Sequence, residues 1–127
     1  MNKDLENLYI YKAQIDLMYY SFQIMEKFPK KEKFSLCNDV KTTLYKMLEN
    51  IILAQREKAI KQRIDYLLKI DVYIKILLVM IRLAFKSKYI NNNNYAAWTR
   101  KITNTNNLLY GWLKSCQKQL KNAIQKN

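Results

Sequence analysis

Val72-Tyr73-Ile74-Lys75-Ile76-Leu77-Leu78-Val79-Met80-Ile81-Arg82-Leu83-Ala84-Phe85 runs without a glycine or proline, and its only charged side chains are Lys75 and Arg82. Leu67, Ile70, Ile74, Leu77, Ile81 and Ala84 recur in steps of three and four, so one stripe lies along a helix over about residues 59–87. The rest of the circumference is apolar or aromatic as well. A helix that is hydrophobic nearly all round is buried nearly all round. In a bundle each helix keeps an outer face, so the stripe of Val72, Tyr73, Val79 and Met80 is expected to meet another copy of the chain, since left bare it favours aggregation. The alternative is that long Lys and Arg stems from neighbouring helices cover it.

Working outward, the same periodicity gives three more helices. The first spans roughly 5–27, with Leu8, Tyr11, Ile15, Met18, Phe22 and Met25 inward, and Pro29 stops it. The second spans about 31–56, with Cys37, Val40, Leu44, Met47, Ile51 and Ala54 inward and Glu32 placed to complement its dipole. The fourth spans about 92–121, with Tyr95, Trp98, Ile102, Thr105, Leu109, Trp112 and Cys116 inward. It opens on Asn91-Asn92-Asn93-Asn94, and asparagine is a good N-cap because its side chain accepts a free backbone N–H. One glycine and one proline in 127 residues suit long helices and not turn-rich β architecture. The expectation is an all-α, antiparallel up-down four-helix bundle, residues 1–127 forming a single domain that assembles into a homo-oligomer.

Charge is uneven. Residues 1–71 hold 13 basic and 10 acidic side chains, whereas residues 72–127 hold 10 basic and none acidic. Such a field costs self-repulsion and points to a polyanionic partner, either nucleic acid or an acidic protein surface, with solubility as the plainer reading. Lys75 and Arg82 lie seven residues apart on one face, and Lys86 follows a turn later. The candidate binding residues are Lys75, Arg82, Lys86, Lys88, Arg100, Lys101, Lys114 and Lys118. Among the tyrosines, Tyr89 beside Lys88 is the candidate for contact with a base, and Trp112 is a core anchor.

Catalytic chemistry has little to work with. The chain has no histidine, the commonest general base and metal ligand. It has no Glu-x-x-His pair of the di-iron kind and no glycine-rich phosphate loop. No catalytic residue, metal or cofactor is expected. Cys37 and Cys116 lack ligand spacing and read as reduced, buried small hydrophobes, with a disulfide the minor option. The amino terminus carries acids where a secretion signal begins with bases, and no 18-residue apolar segment occurs. A cytoplasmic protein is expected.

Several stretches in order resemble the accessory variability determinant (Avd) family of diversity-generating retroelements. They are Glu26-Lys27-Phe28-Pro29-Lys30 with Phe34 and Leu36, then Leu48-Glu49-Asn50-Ile51-Ile52-Leu53-Ala54, Asp71, Ile81-Arg82-Leu83-Ala84, Tyr95, and Leu109-Tyr110-Gly111-Trp112-Leu113-Lys114-Ser115. The four-helix proteins encoded in 23S rRNA intervening sequences share the Phe-Pro-Lys turn. The Arg-Leu-Ala run and the Gly-Trp-Leu-Lys-Ser ending tilt the resemblance to Avd. It implies a homopentamer with a basic surface that binds a reverse transcriptase and its template RNA or cDNA, supporting mutagenic reverse transcription without catalysing it, and it carries roles over to Arg82 and Lys114. The alternatives are an rRNA-associated RNA-binding bundle and a basic protein–protein adaptor. Two departures stand out: Tyr110 replaces the first of two glycines, and Leu78 stands where the family tends to have a base. Gly111 costs a helix about 1 kcal/mol against alanine, which close packing on another helix would explain.

Overall fold

The computed structural model describes residues 2–126, with side-chain surroundings from Tyr9 onward. Four helices make up the chain: α1 (Asn2–Met25), α2 (Leu36–Arg56), α3 (Ile60–Lys86) and α4 (Asn92–Lys126). There is no strand among the described residues. Each helix packs on its neighbours in sequence and α4 closes the circuit on α1, while the Cα atoms of α1 and α3, and those of α2 and α4, stay more than 8 Å apart. The helices therefore stand at the corners of a square, with one continuous apolar core between them.

The inner stripes of α2 and α3 are buried residue for residue as their spacing predicts, and in α4 only Tyr95 is left half-buried. Leu44, Met47, Ile51, Leu67, Leu77 and Ile81 are wholly inaccessible, and each such side chain contributes about 1.5–3 kcal/mol of transfer free energy.

The first helix is phased differently from its expected stripe. Tyr11 and Ile15 are exposed and Phe22 is half-buried, whereas Ile10, Ala13, Gln14, Leu17, Ser21 and Ile24 join Met18 and Met25 inside; the side chain of Leu8 lies outside the described residues. Apolar residues surround α1 on more than one side, so hydrophobicity alone admits more than one phase. Polar bonds accompany the one adopted. Gln14 Nε2 donates to the Leu44 carbonyl at 3.1 Å, and Ser21 Oγ accepts from Trp98 Nε1 at 2.8 Å while donating to the Leu17 carbonyl at 2.7 Å. A buried polar group that is paired avoids the desolvation cost.

Helix ends follow local chemistry. The last turn of α1 tightens through Glu26, Lys27 and Phe28 amides bonded three residues back. Pro29 then leads into a 3-10 turn, Lys30–Glu32, so α2 starts at Leu36, later than the charge pattern indicated. Glu32 thus sits in that turn. Arg63 Nε donates to the Ala54 and Glu57 carbonyls at 3.0 and 2.9 Å, covering acceptors at the end of α2. The end of α3 is a Schellman motif: the Tyr89 amide bonds to the Ala84 carbonyl and the Lys88 amide to that of Phe85, with Lys88 at φ 65°. Glycine or asparagine is the usual occupant of that left-handed position, and a lysine there is strained. Asn91 caps α4, its Oδ1 accepting from the Asn94 amide at 2.8 Å.

Both cysteines are buried. No helix among the described residues is long and apolar enough to cross a membrane.

Candidate nucleic-acid interface

Helical spacing sorts the eight candidate cations into groups. On α3, Lys75, Arg82 and Lys86 share one flank. Arg82 lines a shallow groove with Leu78, Val79, Tyr95 and Thr99, so this flank faces α4. On α4, Arg100, Lys114 and Lys118 are all exposed and lie 14 and four residues apart, which puts them on the outer face, opposite buried Ile102, Leu109 and Cys116. From Arg100 to Lys118 this face is about 27 Å long at the helical rise. The α3 flank and the α4 face adjoin and make one basic side of the bundle.

Two candidates are drawn away from that side. Lys101 lies on the α1 edge, where its Nζ is 2.8 Å from Asp16 Oδ2 and sits over the Tyr20 ring at 5.4 Å. Lys88 lies in the α3–α4 loop. The expectation of cations without nearby acids also fails at Lys75, whose Nζ is 2.7 Å from Asp71 Oδ1, one turn back. Tyr110 joins them, its hydroxyl donating to Asp71 Oδ1 at 2.8 Å and lying 3.3 Å from Lys75 Nζ. Partial burial opposes ionisation of Asp71, but the bonds from Lys75 and Tyr110 outweigh it and hold the carboxyl below its usual range. The same bonds push the Lys75 ammonium above its own. Asp71 is thus a counter-charge for Lys75, which leaves Arg82, Lys86, Arg100, Lys114 and Lys118 as the cations of the face with no ion pair to a carboxylate of the described residues.

Three further expectations are corrected. Tyr89 is no open platform: its ring packs on Phe28 at 5.3 Å, and its hydroxyl donates to Glu32 Oε2 at 2.6 Å. Gly111 does not seat another helix of the bundle, because nothing lies within 4 Å of where a Cβ would stand. Of the four residues expected on an outer apolar stripe of α3, Val72 and Val79 are 54% and 58% exposed, whereas Tyr73 and Met80 lean inward onto the core. The stripe that does face outward is Leu68, Val72, Ile76, Val79 and Leu83. A second one, Tyr11, Ile15 and Tyr19, faces outward on α1. Trp112 is buried, as its place on the inner stripe of α4 requires.

Sequence reasoning passed over one feature. Phe34 is 95% exposed in the segment between the 3-10 turn and α2, beside Lys30, Lys31 and Lys33. The apolar residues of that segment were visible, but a non-periodic phenylalanine gives no sign of whether it points in or out.

Among the described residues, no group of three or more His, Cys, Asp or Glu is placed to hold a metal ion. No curated protein matches the chain. The family model described as bAvd-like matches residues 8–116, which takes in all four helices and the whole basic side as far as Lys114, and the chain belongs to that family.

Proposed function

We propose that this chain is a non-enzymatic accessory protein of a diversity-generating retroelement. It binds the element's reverse transcriptase and template RNA or cDNA through the α3–α4 basic side, in the cytoplasm, as an oligomer of antiparallel bundles. The observation that carries this reading is that side itself: Arg82, Lys86, Arg100, Lys114 and Lys118 form an adjoining surface in a half of the chain with no acid, within a chain of the bAvd-like family. Cations so arranged neutralise phosphates and release counterions, which gives strong but weakly sequence-selective binding. Support for antiparallel helices comes from pairs such as Asp16 with Lys101 and Ser21 with Trp98, where one partner number rises as the other falls. Support for self-association comes from the outward apolar stripes on α1 and α3. Five copies is the number the family resemblance implies.

The test is affinity for the element's template RNA as salt is varied. With about six phosphates engaged, log K falls against log salt with a slope of roughly −4 to −5. Reversing charge at Arg82, Arg100, Lys114 and Lys118 together abolishes binding while helicity stays intact. A flat salt response rejects the electrostatic mechanism, and unchanged affinity in the charge-reversed protein rejects this surface. A pull-down of the reverse transcriptase with and without nuclease separates direct contact from bridging by RNA. Light scattering that returns a monomer removes the oligomer.

A further inference from the structure

The two loops at one end of the bundle are far apart in sequence and joined in space. Tyr89, in the α3–α4 loop, packs its ring on Phe28 and donates its hydroxyl to Glu32 in the 3-10 turn, 57 residues earlier. The contact brings Lys86, the last residue of α3, and Lys88 of the α3–α4 loop to the same end as Lys30, Lys31 and Lys33. Two acids are present, Glu26 and Glu32. The second is engaged, its Oε1 accepting from Ser35 Oγ at 2.6 Å and its Oε2 from Tyr89. Both bonds hold the Glu32 carboxyl below its usual range, the one from Ser35 most. Lys33 bends back, its Nζ donating to the Met25 and Glu26 carbonyls at 3.1 and 3.3 Å, and so fixes the turn against the end of α1. From this braced, cationic end Phe34 stands out with 95% of its surface exposed, on a turn held from both sides by Glu32–Ser35 and Lys33–Met25.

A phenylalanine this bare exposes apolar surface to water with no return from packing inside the chain. The backbone that carries it is held in place, because its neighbours on both sides are bonded into the turn. Cations and an exposed aromatic face at one end of a bundle are the two parts of a single-strand site: phosphates are neutralised while a base stacks on the ring, with little regard to which base it is. Lys88 holds a strained left-handed backbone at the rim where glycine would sit more easily. An apolar protein partner explains the ring but gives no reason for the lysines at the same end.

We infer that the loop end of the bundle is a single-stranded nucleic-acid site in which Phe34 stacks on a base and Lys30, Lys31, Lys86 and Lys88 hold the adjacent phosphates. The site is separate from the α4 outer face and rests on the reading of this chain as a nucleic-acid binder. It adds the unpaired strand as the form recognised.

The experiment measures fluorescence anisotropy with three labelled strands of equal length: oligouridylate, oligothymidylate and an abasic phosphodiester chain. Phe34→Ala is expected to weaken binding of the base-bearing strands about tenfold and to leave the abasic strand unchanged. Lys30→Glu with Lys31→Glu and Lys88→Glu weakens all three. Phe34→Trp keeps affinity, and because Trp98 and Trp112 are buried, its new indole emission is quenched when a base stacks. A preference between the first two strands tells whether the site takes RNA or DNA. Phe34 is exposed and α2 starts beyond it, so the variants keep their helicity, checked by circular dichroism. Equal affinity of wild type and Phe34→Ala for base-bearing strands, with wild type binding them, overturns this site and leaves the broader function standing. Loss of reverse-transcriptase capture by Phe34→Ala with strand binding unchanged also overturns it, because the ring then serves a protein contact. A wild type that binds no strand at all removes both.

Discussion

Trp98 Nε1 donates to Ser21 Oγ at 2.8 Å, and Ser21 passes the chain of bonds on to the Leu17 carbonyl, deep between α1 and α4. Both side chains are wholly inaccessible. Ser21→Ala removes one small oxygen but strands the indole N–H in the core, so it is expected to cost about 1–3 kcal/mol. Urea unfolding followed by circular dichroism measures it, and a cost near zero means the indole has found another acceptor.

The Asp71–Lys75–Tyr110 cluster ties α3 to α4 across a surface that water reaches. Tyr110→Phe loses both bonds that cross between these helices there, the one its hydroxyl donates to Asp71 and the one it accepts from Lys75, and is expected to cost about 1 kcal/mol. Asp71→Asn costs about as much, and it also frees the Lys75 charge, so it should strengthen RNA binding at low salt. Affinity that falls in Asp71→Asn contradicts the view of Asp71 as a counter-charge.

Glu32 gives a pH dependence with a definite sign. Its bonds from Ser35 and Tyr89 favour the carboxylate, so the folded chain holds the proton less tightly than the unfolded one. The stabilisation is present above the ordinary carboxylate range and drains away as pH falls through it. On the phenol side, Tyr89 is raised by the same bond, which its hydroxyl donates to Glu32, so its share is present below the ordinary phenol range and lost as pH rises above it. Melting temperatures of wild type and Glu32→Gln should differ at neutral pH and converge on acidification. A gap that stays constant with pH rules out the linkage.

Gly111 sits in mid-helix with open space where a Cβ would go. Gly111→Ala is expected to stabilise the isolated protein by about 1 kcal/mol, because alanine has less chain entropy to lose. A fall in melting temperature instead means that a second molecule already approaches that backbone closely.

The second and fourth helices could be read from their residues because each has one dominant stripe, and in the third the unbroken recurrence in threes and fours marked the inner face although the rest of its circumference is apolar too: Cys37 to Ala54, Leu67 to Ala84 and Trp98 to Cys116 are buried as their spacing requires. The first could not, because Tyr11, Ile15 and Tyr19 are as apolar as the residues that turned inward, and Gln14 and Ser21 on the buried side look polar until their partners are known. Cations on α3 and α4 were legible as a block without acids. Their sorting was not, since Asp16 meets Lys101 across 85 residues of chain. For the same reason Lys30, Lys31 and Lys33, which sit in a charge-balanced half when counted along the chain, gave no sign that they share an end with Lys88.

The outward stripes on α1 and α3 occupy opposite corners of the square, since the backbones of those two helices do not approach each other. They differ in kind, one rich in tyrosine and the other aliphatic, so they offer two unlike surfaces. Lay the first against the second of a neighbouring molecule and the resulting couple still offers one of each at its ends. In an assembly built by that unlike contact, pairing alone would not terminate growth; only a rotation that brings the last member back to the first would do so, and the angle between the stripes would set how many members that takes.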